Sequence, residues 1–212
     1  MAPRFSSRSR VLLLTAAAAL LFTTAGAFAK EIRDWLTPKR FAEVEPGFLY
    51  RSGQLSARWL RKVLRERKIS TVISLSHYDP TKAEQHREHI IAREFDVPII
   101  HLHLHANGTG DVRHYVAALV QIARARQEGR AILVHCPSGD RRTGGIIAAY
   151  LALMEHSPPE RAYAELTRFQ KNGKTDPELT LFLNQNMKEL ASHLVELGLL
   201  KAQPNSLPRF PL

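Results

Sequence analysis

Residues 135–144 read His135-Cys136-Pro137-Ser138-Gly139-Asp140-Arg141-Arg142-Thr143-Gly144, and Cys136 is the only cysteine in the 212 residues. An Arg six positions after the cysteine, a Gly midway and a hydroxyl residue after the Arg form a pattern suited to gripping a phosphate. The run Ala131-Ile132-Leu133-Val134 reads as a short buried strand, and Thr143 to Glu155 as a mostly apolar buried helix. Cys136 therefore falls in a tight turn between a strand and a helix N-terminus. Unpaired N–H groups and the positive end of the helix dipole converge at such a place. That setting binds an oxyanion and depresses a thiol pKa, giving a thiolate nucleophile near neutral pH.

Each residue of the loop has a role in this chemistry. Cys136 attacks phosphorus and carries a phosphocysteine intermediate. Arg142 offers a planar fork for two phosphoryl oxygens and follows them into the transition state. Gly139 lets the backbone turn its amides inward, with Pro137, Ser138, Asp140 and Arg141 completing the phosphate-binding loop. The Thr143 hydroxyl can donate to the sulfur, and His135 braces the loop backbone. A lone cysteine is often an inert small hydrophobe, but His-Cys-x2-Gly-x2-Arg-Thr-Gly between strand and helix requires several coincidences at once.

This loop resembles the signature of the cysteine-dependent protein tyrosine phosphatase superfamily, in its atypical dual-specificity branch. The resemblance extends upstream through Leu49-Tyr50-Arg51-Ser52-Gly53-Gln54-Leu55-Ser56 and Ile69-Ser70-Thr71-Val72-Ile73-Ser74-Leu75, and covers about residues 45–170. It implies an α/β fold, a single domain with a four- to five-stranded, mostly parallel sheet flanked by helices. It also implies metal-free hydrolysis without a cofactor, through a phosphoenzyme. Asp140 and Arg141 depart from the Lys or small residues common at those positions, and only Arg142 has the six-residue offset and the following Thr-Gly.

Protonation of the leaving group requires a carboxylic acid within hydrogen-bond reach. The resemblance places it on the loop before the preceding helix, here His105-Ala106-Asn107-Gly108-Thr109-Gly110-Asp111. Asp111 is the sole carboxylate in that loop and is equally suited to capping the helix from Val112 to Gln127. Asp140 is the alternative acid, or a loop carboxylate that tunes charge at the rim.

The remaining chain supplies scaffold and address. Arg4, Arg8 and Arg10, the apolar run Val11–Thr24 and Ala27-Phe28-Ala29 read as a signal peptide over residues 1–29, cleaved after Ala29. Residues 11–29 could instead stay as a membrane anchor, since they approach spanning length. Either way an exported domain is expected, periplasmic or secreted, over residues 30–200, with residues 201–212 a flexible tail. With one cysteine, no internal disulfide is available to the fold. His101, His103 and His105 alternate on a strand and read as a polar face, without the accompanying ligands of a metal site.

Strands are expected near Phe48–Arg51, Thr71–Ser76, Val97–Leu104 and Ala131–His135. Helices are expected near Ala57–Lys68, Lys82–Phe95, Val112–Gln127, Thr143–Glu155, Pro159–Phe169 and Pro177–Leu197. The chain carries a net charge of +10, and removal of the leader's three arginines leaves 27 basic against 20 acidic side chains, a net of +7. Such charge steers anionic substrates and suits anionic membrane surfaces, while no nucleic-acid motif accompanies it. A phosphorylated protein or an inositol phosphate is the expected substrate, and a monomer the expected state. A rhodanese-like sulfurtransferase also uses a loop cysteine but has no need of Arg142. A phosphate-binding module of weak catalytic power is the third alternative.

Overall fold

Alternation of side chains along the strands decides the layering. The computed structural model describes residues 36–155, 157–204, 207 and 209–211, and Pro38–Leu212 forms one compact unit. Its strands are β1 (Ala42–Glu45), β2 (Leu49–Ser52), β3 (Ile69–Ser74), β4 (Ile99–His101) and β5 (Ala131–His135). The helices are α1 (Ala57–Glu66), α2 (Ala83–Glu94), α3 (Val112–Gln127), α4 (Arg141–Leu153), α5 (Pro159–Thr167) and α6 (Pro177–Glu196). The sheet order is β1-β2-β5-β3-β4, with β1 antiparallel to β2 and the other pairs parallel.

Successive strand residues point to opposite faces, so Ile132 and Val134 of β5 join one core and Ala131 and Leu133 the other. Leu49 and Ile73 share the first core with side chains of α3 to α6. Tyr50 and Val72 share the second with α1 and α2. Both faces of the parallel strands are covered, which is why they read as continuous apolar runs. At the centre, Ser52 of β2 and Ser74 of β3 both pair with His135. The polypeptide therefore leaves the middle of the sheet at Cys136, at the carboxyl ends of three adjacent parallel strands, where α/β sheets bind ligands.

Helix α4 is buried from Thr143 to Leu153. A Cβ on Gly145 would meet the Tyr115 hydroxyl at 2.4 Å, and that hydroxyl donates to Gly108 O at 2.7 Å. The small residue thus lets α3 approach α4 and lets Tyr115 hold the 105–110 loop.

The structure differs from the sequence expectations in four places. Strand β1, Ala-Glu-Val-Glu, lies at the sheet edge and carries too little apolar character to stand out. Strand β4 ends at His101 rather than Leu104, because β3 stops at Ser74 and offers no further ladder partner beyond Leu102 N–H to Ser74 O at 2.9 Å. His103 and His105 are therefore off the strand. Helix α4 starts at Arg141, two residues before the expected start. The expected flexible tail is fastened at Phe210, whose N–H and C=O each bond the Asn184 side chain at 2.9 Å. The expected leader, residues 1–29, lies outside the described residues. Among the described residues no helix is long and apolar enough to cross a membrane.

Gly145→Ala should force Tyr115 away from Gly108, an overpacking cost of about 1–3 kcal/mol. Thermal denaturation should show a midpoint lower by roughly 2–4 °C for each kcal/mol. An unchanged midpoint would mean that Tyr115 is free to move aside.

Candidate active site

A single strand-to-helix turn folds around the thiol. Cys136 is fully buried, and its Sγ accepts the Gly139 N–H at 3.1 Å. Burial opposes the thiolate, but the Thr143 hydroxyl, the Arg142 charge and the Gly139 and Thr143 amides outweigh it. The thiol is held below its ordinary pKa. The buried Thr143 hydroxyl has no hydrogen-bond partner of regular geometry among the described residues, which leaves its proton for the sulfur. Gly139 has φ +81°, and a Cβ there would sit 2.4 Å from Gly53 N and 2.7 Å from the Ser52 carbonyl. Glycine is thus required twice, by its dihedral and by contact with a neighbouring backbone.

Arg142 crosses the mouth of the loop. Its Nη1 donates to Leu75 O at 3.3 Å and Ser76 Oγ at 3.1 Å. Its Nε is buried without a partner among the described residues. The guanidinium is thereby anchored on one side and keeps donors for an oxyanion. Arg141 turns the other way, its Nε 3.1 Å from Asp176 Oδ2 at the start of α6. The structure brings together Cys136, Gly139, Arg142 and Thr143, and separates Arg141 from them in role.

The two candidate acids are both engaged. Asp111 caps α3 by accepting the Arg113 N–H at 2.8 Å, and the Arg113 guanidinium contacts both its oxygens, at 2.9 Å from Nε and 2.5 Å from Nη2 to Oδ2. Arg113 holds the carboxyl at a pKa of about 2, so Asp111 is ionised at neutral pH. Asp140 loses solvent by burial, but Ser138, the Arg141 N–H and Arg40 at 2.9 Å keep its carboxyl below the usual range. It caps α4 and closes the loop on itself.

Several supporting residues escape a motif search. Arg51, fully buried on β2, donates Nη1 to Glu165 O at 2.6 Å and Oε2 at 2.9 Å, and Nη2 to Gly139 O at 3.2 Å. Lys39 Nζ donates to Pro137 O at 2.7 Å and Arg40 Nη1 to Ser138 O at 3.0 Å. The carbonyls of Pro137, Ser138 and Gly139 are thus each held by a cation. Gly53 presses against Ser138, whose oxygen would lie 2.7 Å from a Cβ there. The Tyr50–Gln54 stretch is therefore a brace for the loop. A charged residue inside the strand run Leu-Tyr-Arg-Ser was the available signal for Arg51. Behind the thiol, His135 Nε2 lies 3.0 Å from Glu88 Oε1, both side chains almost wholly buried.

The expected histidine face is divided. His101 Nδ1 donates to Ser76 O at 3.1 Å, and its Nε2 lies 2.9 Å from His89 Nε2. Because a carbonyl only accepts, the His101 Nδ1 carries a proton. No group of three or more His, Cys, Asp or Glu among the described residues forms a metal-binding set.

Comparison with known proteins agrees with this geometry. Residues 38–193 match the family described as Swiss Army Knife protein, DSP-PTPase phosphatase domain, and the chain belongs to that family. A human relative, dual specificity protein phosphatase 12, is 32% identical over 132 residues, covering 62% of this chain and 37% of the relative. The chain thus spans well under half the length of that protein. Among solved structures, the core catalytic domain of the PP-IP phosphatase SIW14 from S. cerevisiae, in complex with citrate, matches with a TM-score of 0.62 at 16% identity, covering 79% of this chain and 98% of that one. P. aeruginosa TpbA in complex with pTyr matches with a TM-score of 0.52 at 21% identity, covering 75% of this chain and 98% of that one. At these identities the structural likeness establishes the fold: a single α/β domain of the dual-specificity phosphatase kind.

Arg142→Lys keeps the charge but loses the fork and the anchor on Ser76. Calorimetric titration with orthovanadate should show affinity falling by about tenfold or more, the loss of one charged hydrogen bond. Arg141→Lys should stay within roughly twofold, since an exposed ion pair contributes little. Equal losses at the two positions would refute this division of roles.

Proposed function

We propose that this protein is a cysteine-dependent phosphatase that hydrolyses phosphomonoesters through a phosphocysteine on Cys136. The observation that carries the reading is the buried sulfur, depressed in pKa by the Arg142 charge, the Thr143 hydroxyl and the Gly139 and Thr143 amides. The thiolate attacks phosphorus, the P–O bond to the leaving group breaks, and the leaving oxygen departs with the bonding pair. Water then attacks the phosphocysteine, the S–P bond breaks, and phosphate leaves with the thiolate restored. Arg142 and the loop amides hold the equatorial oxygens as their charge develops. Family membership over residues 38–193 supports this chemistry.

Leaving-group protonation is the distinguishing feature. Asp111 at a pKa of about 2 and Asp140 below its usual range, each paired with an arginine, are poorer proton donors than an ordinary carboxyl. The reading is therefore a phosphatase whose best substrates expel a stable anion, an aryl ester or a phosphoanhydride, with Asp111 a helix cap. SIW14, described as a PP-IP phosphatase, and TpbA, seen with pTyr, bracket the phosphorylated substrates such a loop accepts. The basic surplus of the chain steers such anions inward.

Two experiments bear on this. With p-nitrophenyl phosphate, Cys136→Ser should abolish turnover, vanadate should inhibit and EDTA should not; activity surviving the substitution overturns the covalent route. Asp111→Asn should change turnover by less than about twofold on both p-nitrophenyl phosphate and an alkyl phosphate, because Asn caps about as well as Asp. Selective loss on the alkyl ester, with a flattened basic limb of the pH–rate profile, would return Asp111 to the role of acid.

A further inference from the structure

Glu88 is a carboxylate with no evident reason to be buried. It lies on α2, a helix that packs with α1 on the face of the sheet away from α4. Yet it is only 4% exposed, and its Oε1 is 3.0 Å from Nε2 of His135, itself 1% exposed. A buried charge is costly unless paired, and breaking such a pair costs more than forming it gains. His135 is the last residue of β5, fixed by Leu75 N–H to His135 O at 2.9 Å, and is the chain neighbour of Cys136.

We infer that Glu88, acting through the imidazole of His135, is a positioning residue that keeps a cation beside the Cys136 sulfur. The groups facing His135 are Glu88 from α2, Cys136 in the loop and Arg142 from α4. Those facing Glu88 are His135, Gln54 and His101. Burial alone would strip the proton from His135, but Glu88 and the cysteine together raise its pKa above the ordinary value. Burial likewise opposes the Glu88 charge, and His135 overrides it. The imidazolium so retained favours the thiolate, and the thiolate in turn favours the imidazolium. Without the carboxylate the buried ring becomes neutral and the sulfur loses a neighbouring positive charge. The sign is fixed: removing Glu88 must raise the thiol pKa.

This inference rests on Cys136 being the nucleophile, but its readout needs no turnover. Cys136 is the only cysteine, so iodoacetamide alkylation of the full chain, followed against pH, titrates it directly. Glu88→Gln should move the alkylation midpoint up by about one pH unit, the scale of one lost charge partner. Glu88→Asp should recover most of the shift. His135→Gln should match Glu88→Gln, and the double variant should move no further than His135→Gln alone. A lowered melting temperature with an unmoved midpoint would reduce Glu88 to a structural part and overturn the inference. If Glu88→Gln fails to fold, the ring nitrogens of His135 in the wild-type protein decide the matter by 15N NMR. The ring should lose its second proton at a higher pH than a free imidazole does, and loss at or below the free value contradicts the inference. A wild-type thiol of ordinary midpoint would overturn the nucleophile and this inference with it. A depressed wild-type midpoint that Glu88→Gln leaves in place overturns this inference alone.

Discussion

A buried thiol at the end of the central strand, held below its ordinary pKa, is the constraint around which this fold is arranged. Desolvation disfavours a thiolate, and Cys136 has no exposed surface. Its stability as an anion must come from groups held at fixed positions: the Gly139 N–H, the Thr143 hydroxyl and the Arg142 guanidinium. Each is placed by the abrupt turn from β5 into α4, and that turn exists because Gly139 adopts a positive φ against the backbone of Ser52 and Gly53. The same donors that stabilise sulfur are those an incoming phosphoryl group would meet. No reorganisation is then required when charge moves from sulfur to the transferred oxygens.

Holding such a loop requires further buried charge. Arg51 extends from β2, grips Glu165 and bonds the Gly139 carbonyl. Lys39 and Arg40 take the next carbonyls along the turn. These cations fix the C=O groups of the turn while the Gly139 N–H stays on the sulfur, the start of a nest for an anion. The buried Glu88–His135 pair next to Cys136 in the chain occupies ground that an apolar pair would fill at less electrostatic cost.

The candidate phosphate loop was legible in the sequence because its pattern is local. Cys136, Gly139, Arg142 and Thr143 lie within one turn, so their spacing alone encodes their geometry. The strands β2, β3 and β5 and the six α-helices α1 to α6 were likewise readable, since buried runs and apolar periodicity extend over several residues. Strand β1 was not, having two glutamates in four residues and only one neighbour in the sheet. The braces were hidden for another reason. Arg51 and Glu165 are separated by 114 positions, and Lys39 and Pro137 by 98, so their pairing is a property of the topology. Asp111 shows the limit most clearly: a carboxylate before a helix reads equally as cap or acid, and its pairing with the Arg113 guanidinium is visible only in the structure.

The central claim is that the buried sulfur itself carries the phosphoryl group. Rapid acid quenching of the protein with an isotopically labelled aryl phosphate, followed by peptide mapping, tests it most directly. The account predicts label on the peptide containing Cys136, appearing in a burst before steady turnover and absent from every other peptide. Turnover with no labelled intermediate, or label on a serine, threonine or histidine instead, would contradict it.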